Sequence, residues 1–319
     1  MHINRGLLFW GIALITAGAV ALAASQGFFG SSVLTGAWRL WPVVLIAIGL
    51  SIVLSRTPFA AIGTVVAALV VGAAVGIVIS VGPGLGDCSG QPGSPETSGG
   101  TFSEAQATVD LELTCGSLAL SMADGSAWQA DTSIDQGQQP SLEAGAGSLE
   151  IRSGGRGLPF DRGRQAWAIT LGNEPSYRLT ATLNAADAVI DASGGTFERL
   201  ALTPNASSVH LVVAASQVAD LDVQLNAGSL TIVADAETDL AGQLDANAGS
   251  INICVPDEVG LLIRVGSSVA FSHNLEDSSL TKSGDTFTSD GFDGAAHKIV
   301  LGVQGNAASF ELNPEEGCA

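Results

Sequence analysis

The sequence predicts a mixed chain: an N-terminal helical transmembrane region of three spans, then an all-β, single-stranded solenoid. Three observations carry this. Apolar runs fill residues 1–82, a seven-residue phrase recurs every 21 positions from Asn184 to Ile253, and all 31 acidic residues lie beyond Gly84. A fixed period in this range marks a repeat architecture in which each unit adds one layer.

The helices come first. The apolar runs cover about 7–24, 40–55 and 58–81, and a membrane helix needs about 20 apolar residues. The second run is short, but Trp38, Arg39 and Trp41 at its start and Arg56 at its end suit the lipid headgroup layer. Ala60, Thr64, Ala68, Gly72, Gly76 and Ser80 recur every four positions. That puts small residues on one helix face, where close helix packing becomes possible in lipid. A cytoplasmic N-terminus places Arg5 and Arg56 inside and only Arg39 outside, as the positive-inside rule prefers. Three spans then deliver the rest of the chain to the extracytoplasmic side. A cleavable signal ending near Ala21-Leu-Ala23 competes with retention of the first run, and leaves the large domain outside as well.

Residues 83–101 are rich in Gly, Pro and Ser and read as a flexible tether. Gly82-Pro-Gly84-Leu-Gly86 lacks the following Lys and helix that a phosphate loop needs.

The solenoid is expected over 102–319. Its phrases begin at Asn184, Asn205, Asn226 and Asn247, and Ser117, Ser148, Ser268 and Ser309 open looser echoes. Apolar residues alternate within each unit, as in Ala188/Ile190, Val209/Leu211, Leu230/Ile232 and Ile251/Ile253. A second set runs Leu200/Leu202, Leu221/Val223, Gly242/Leu244 and Ile263/Val265. Alternation turns one face of a short strand inward. Coils stacked at roughly 4.8 Å would satisfy the backbone and bury an aliphatic column. The four Asn suit corners, because Asn tolerates left-handed backbone and bonds neighbouring peptides. A row of Asn ligands for sugar or metal is the sharper alternative.

Residues 123–177 interrupt the repeat. Arg152, Arg156, Arg162 and Arg164 cluster there beside Trp167, in a region that carries nine Lys and Arg in all against 31 acids, a net of −22. This basic patch is either a docking surface for anionic polymer, lipid or protein, or a solvated loop paired with carboxylates. Such acidity excludes nucleic acid as an expected partner. Cys88, Cys115, Cys254 and Cys318 all follow the apolar runs and fit two disulfides, with three pairings open. The pairing Cys88–Cys115 with Cys254–Cys318 would staple tether and tail to the coils. Catalytic motifs are not seen: His2, His210, His273 and His297 are scattered, and Asp285, Asp290 and Asp293 lack the spacing of a calcium loop. No enzyme activity, cofactor or metal is expected.

Arg5-Gly-Leu-Leu-Phe-Trp-Gly and Trp38-Arg-Leu-Trp-Pro carry a resemblance to the membrane hairpin of LiaF-like proteins, the cell-wall-active antibiotic response group. It spans about residues 5–54. The repeat region, with Val255-Pro-Asp-Glu-Val-Gly, is similar to the toast-rack β-solenoid joined to such hairpins. The resemblance implies a non-catalytic envelope-stress protein in the bilayer that restrains a membrane sensor kinase. The alternative expectation is a surface adhesin or self-associating scaffold.

Overall fold

The computed structural model describes residues 11–12, 14–16, 68–72, 93–133, 139–154, 164–266, 270–314 and 318. The chain divides into two compact units, Met1–Asp87 and Cys88–Ala319. In the first, Gly11–Ile12, Leu14–Thr16 and Ala68–Gly72 are helical. Leu14, Ile15 and Leu69 are exposed, whereas Ala68 and Gly72, one turn apart, are buried. Thr16 satisfies its hydroxyl internally by donating to the Ile12 carbonyl at 2.8 Å. Among the described residues no helix is long and apolar enough to cross a membrane. Most of the expected spans 7–24, 40–55 and 58–81, with Ala60, Thr64, Gly76 and Ser80, lie outside the described residues.

The second unit is built of strands. β1 (Pro95–Thr101) precedes a first coil of β2 (Gln106–Leu113) and β3 (Gly116–Ala123). β4 (Ala127–Ser133) and β5 (Ser141–Ala144) lead to a second coil, β6 (Ser148–Arg152) with β7 (Gln165–Gly172). The third pairs β8 (Ser176–Asn184) with β9 (Ala186–Asp191), and the fourth is one long strand, β10 (Thr196–Val212). β11 (Gln217–Leu225) and β12 (Ala227–Val233) make the fifth, and β13 (Asp239–Cys254) makes the sixth. β14 (Gly260–Val265) and β15 (Ala270–His273) form the seventh, followed by the short β16 (Thr281–Ser283) and β17 (Thr286–Thr288). β18 (Lys298–Leu312) is the eighth.

Each coil has two walls, which meet at an Asn corner in the third to sixth and the eighth coils. Between the third and sixth coils the strands are parallel, and aligned residues differ by 21 apart from local register shifts near Phe197, Asn205 and Val218. Leu179, Leu200 and Leu221 line up on the first wall, and Ala188, Val209, Leu230 and Ile251 on the second. Because side chains alternate, each aligned set forms an inward column. The column Trp167, Leu118, Ala188, Val209, Leu230, Ile251, Phe310 is at most 3 % exposed throughout. Full burial of one such side chain contributes about 1.5–3 kcal/mol.

The order of the coils departs from simple chain-order stacking. β2 and β3 pair with β8 and β9 on one side and with β6 and β7 on the other. β18 likewise lies between β13 and the pair β14 and β15. The spatial sequence of coils is therefore 2-1-3-4-5-6-8-7. Two expectations are corrected. Residues 123–177 are no mere interruption, since they supply a whole coil. Ile263 and Val265 do not follow Gly242 and Leu244, because Leu301 and Val303 sit between them. The reason is continuity: β18 matches β13 along both walls, whereas the seventh coil ends in the four-residue β15.

Residues 95–101 of the expected tether are also strand, with β1 antiparallel to β4 and β4 antiparallel to β7. Antiparallel β5, and β17 with β16, flank the first wall at its two ends. These additions blunt edges that would otherwise template further pairing.

Two side-chain clasps hold the last coil in its slot. Asn313 accepts from the Val255 N–H at 2.7 Å and donates to the Val255 carbonyl at 2.9 Å. Asn274 accepts from the Leu312 N–H at 2.8 Å and donates to the Leu312 carbonyl at 2.9 Å. A disulfide joins Cys254 to Cys318, with Cα atoms 5.6 Å apart. Cys115 is also disulfide-bonded, and Cys88 lies outside the described residues.

At one corner glycine is required. Gly228 has φ 117°, and a Cβ there would stand 1.9 Å from the Ser207 carbonyl oxygen. Leu230→Ala should lower stability by about 2–5 kcal/mol through the cavity it leaves. Gly228→Ala should cost more than about 1 kcal/mol through strain. Chemical unfolding midpoints measure both.

Candidate functional site

The repeated Asn corners form a ladder. Asn205 donates to Asn184 at 2.8 Å, Asn226 to Asn205 at 2.6 Å, and Asn247 to Asn226 at 2.8 Å. A fifth rung, Asn306, donates to Asn247 at 2.9 Å. Every bond points the same way, so the amides polarise one another along the row. The amides are spent on each other, which fits a corner role better than a ligand set. Asn306 was legible only as the start of Asn306-Ala-Ala-Ser-Phe-Glu-Leu, a copy of the repeat phrase displaced by 59 instead of 21 residues.

Among the described residues Trp167 does not share a surface with the arginines. Trp167 is 2 % exposed and belongs to the core column, with no hydrogen-bond partner for its Nε1. Alternation along β7 turns it inward, so it cannot anchor a surface ligand. Arg152 pairs with Glu150 at 2.7 Å, Arg164 is half-buried, and Arg156 and Arg162 lie outside the described residues. The outer face of the first wall carries further surface pairs, Arg178 with Glu198 at 2.9 Å and Arg199 with both Asp220 and Asp222. Exposed pairs of this kind contribute about 0–1 kcal/mol each.

A groove of about 670 Å³ lies on the outer face of the second wall. Strand register builds its floor as two rows across five strands. One row runs Asp131, Ala168, Ala119, Val189, His210, and the other Ser133, Ala166, Ser117, Asp187, Ser208. Gly93 and Pro95 form a rim. Val189 is 53 % exposed and is the one large hydrophobic residue that is exposed among the described residues of this unit. The Asp131 carboxylate accepts from the Thr97 hydroxyl at 2.5 Å and from the Gln129 amide at 3.0 Å, which holds its pKa below the usual value.

A second cavity, about 160 Å³, lies between the seventh coil and the β16–β17 hairpin. His273 packs there against Phe271 and Phe287, and Lys282 sits 5.3 Å from the Phe287 ring centroid. Lys282 also binds Glu276 at 2.5 Å and so lowers its pKa. Among the described residues no three His, Cys, Asp or Glu side chains converge as a metal site requires.

Residues 8–53 match a family described as the LiaI-LiaF-like transmembrane region. The match is confined to the N-terminal part of the chain. No curated protein matches the chain significantly. Among solved structures, a candidate cell adhesion protein from Clostridium sporogenes is 13 % identical, with 68 % of this chain and 98 % of that one covered at a TM-score of 0.44. A candidate adhesin from Bacteroides fragilis is 11 % identical, covering 70 % and 100 % at a TM-score of 0.29. A candidate lipid-binding protein from Parabacteroides distasonis is 11 % identical, covering 69 % and 97 % at 0.21. These scores are too low to carry a functional argument. The LiaI-LiaF-like match lies within the apolar N-terminal quarter of the chain and leaves the coiled unit to be read from its own surface.

Asn226 takes part in two ladder bonds, so Asn226→Ala should cost about 1–2 kcal/mol in chemical unfolding, with the fold retained. A second prediction concerns acid. Burial opposes ionisation of Asp235, but bonds from the Ala215 N–H, the Thr238 hydroxyl and the Glu237 N–H outweigh it and lower its pKa from 3.8. A depressed folded pKa adds stability that is complete above the unfolded value and is lost as pH falls through the folded one. Asp235→Asn should therefore destabilise at pH 7, and its difference from the unaltered chain should shrink below pH 3.8. Unfolding curves across that range measure it.

Proposed function

We propose that the chain is a membrane-anchored, non-catalytic protein of the cell envelope whose coiled domain senses or scaffolds on the extracytoplasmic side. In this reading three spans, about 7–24, 40–55 and 58–81, cross the bilayer from a cytoplasmic N-terminus. The helices would couple to a partner in the membrane, and a sensor kinase is the partner that the LiaF-like resemblance implies. The observation that carries the reading is the LiaI-LiaF-like transmembrane match joined to a separate unit of β-coils. Two further features support it. The disulfide Cys254–Cys318 suits an oxidising compartment, and the arginines at Arg5, Arg39 and Arg56 favour this orientation.

A second reading, a self-associating scaffold or surface adhesin, draws on β15, which among the described residues pairs only with β18 and so presents an edge of the second wall. Concentration-dependent oligomers that vanish when Ser272 is replaced by Pro would favour it.

The test of the leading reading is topological and then genetic. Gln224 is exposed on β11, so Gln224→Cys should react in intact cells with a maleimide that cannot cross the bilayer. Labelling only after lysis would overturn the orientation. Deletion of the chain should alter membrane-stress signalling, and an unchanged response would remove the regulatory role.

A further inference from the structure

The groove on the second wall has a shape and charge that define what it can hold. Five strands at roughly 4.8 Å give its floor a length of about 19 Å. An extended polypeptide rises roughly 3.3 Å per residue, so about six residues fit along it. Only alternate residues of such a segment face the floor, about 6.6 Å apart.

The floor is not uniform. Ala168, Ala119 and Val189 make a low apolar centre, with Val189 exposed where the rest of the unit keeps its large hydrophobics inside. Carboxylates stand towards its two ends: Asp131 on β4 and Asp187 on β9 are three strand spacings apart and in adjacent rows, or about 16 Å on the diagonal at the usual spacings. Among the described residues neither Lys nor Arg lines the groove. An anionic ligand would therefore meet repulsion at both ends, and a flat sugar would find no aromatic platform among the lining side chains that face it. An extended chain with a basic residue at positions i and i+4 spans about 13 Å between them, and long basic side chains reach across the rest of the diagonal. The residue between them, at i+2, would rest on Ala168 and Ala119.

We propose that this groove binds an extended polypeptide segment of a partner protein, with basic side chains four residues apart and a small or apolar residue midway. Asp131 is already oriented for this by Thr97 and Gln129 on neighbouring positions of the same surface. His210 at the far end offers a ring nitrogen to the segment's backbone. The domain's net charge steers a basic segment towards the surface, and the apolar floor selects the groove over the other acidic faces. The inference rests on the sensing or scaffolding reading only for the source of the segment; the groove itself can be tested without the topology.

The full chain in detergent micelles would be titrated against dansyl-labelled Lys-Ser-Val-Ser-Lys, with Glu-Ser-Val-Ser-Glu as the control peptide. The lysine peptide should bind saturably and more weakly as salt is raised, while the glutamate peptide should not bind. The double variant Asp131→Asn/Asp187→Asn should weaken binding by about tenfold, near threefold per exposed charge pair. Ala119→Trp should abolish binding by filling the floor, with melting curves of both variants checking that the fold is kept. The double variant Asp110→Asn/Asp222→Asn, on the first wall, removes the same charge elsewhere and should leave affinity unchanged. Absence of saturable binding, equal binding of the glutamate peptide, or equal weakening by the two double variants would overturn the proposal. Failure here with successful labelling of Gln224→Cys would leave the envelope reading standing, and the reverse result would leave the groove standing.

Discussion

Parallel pairing at a fixed register is the constraint on which the rest of the coiled unit depends. A strand that pairs with its neighbours on both sides satisfies its backbone without help from water. Once Leu200 lies beside Leu221, every alternate residue is committed to the core or to solvent. A slip of one residue would turn whole columns outward. The Asn ladder is a consequence of this register and also a check on it, because Asn205 can reach Asn184 and Asn226 only when the coils are aligned.

The ends of a solenoid pose a different problem, since the last coil has no neighbour on its outer side. Here the chain places the coils nearest its termini one layer inside. The first coil is covered by the second, and the eighth by the seventh. The Asn313 and Asn274 clasps then fix the end of β18 to the coils on either side. The Cys254–Cys318 disulfide ties the tail to the sixth coil, so the strand completed last in the chain is also covalently retained. This arrangement raises the sequence separation of the contacts, which slows folding in exchange for protected ends.

The surface follows from the same geometry. Small outward residues on the second wall leave a trough across β4, β7, β3, β9 and β10, and the acidic composition places carboxylates along it. The first wall spends its charges on pairs such as Arg199 with Asp220. The two faces of one coil thus differ in what they leave available to a partner.

The sequence by itself determined the strand phase, the Asn corners, the division between an apolar and an acidic part, and the membrane resemblance at its start. These are local properties: a period of 21 and an alternation of two are written into neighbouring residues, and burial enforces them wherever the strands end up. Tertiary structure alone decided which coil fills which slot. Residues 298–303 lie beside β13 and residues 260–265 beyond them, an order that gives β13 a partner along both walls in β18. It also turned Trp167 into the core, added Asn306 as a fifth rung, and brought Asp131 and Asp187 to one trough from strands that are 56 positions apart in the chain. Competition between distant segments for one hydrogen-bonding edge depends on total burial, which no short stretch of sequence contains.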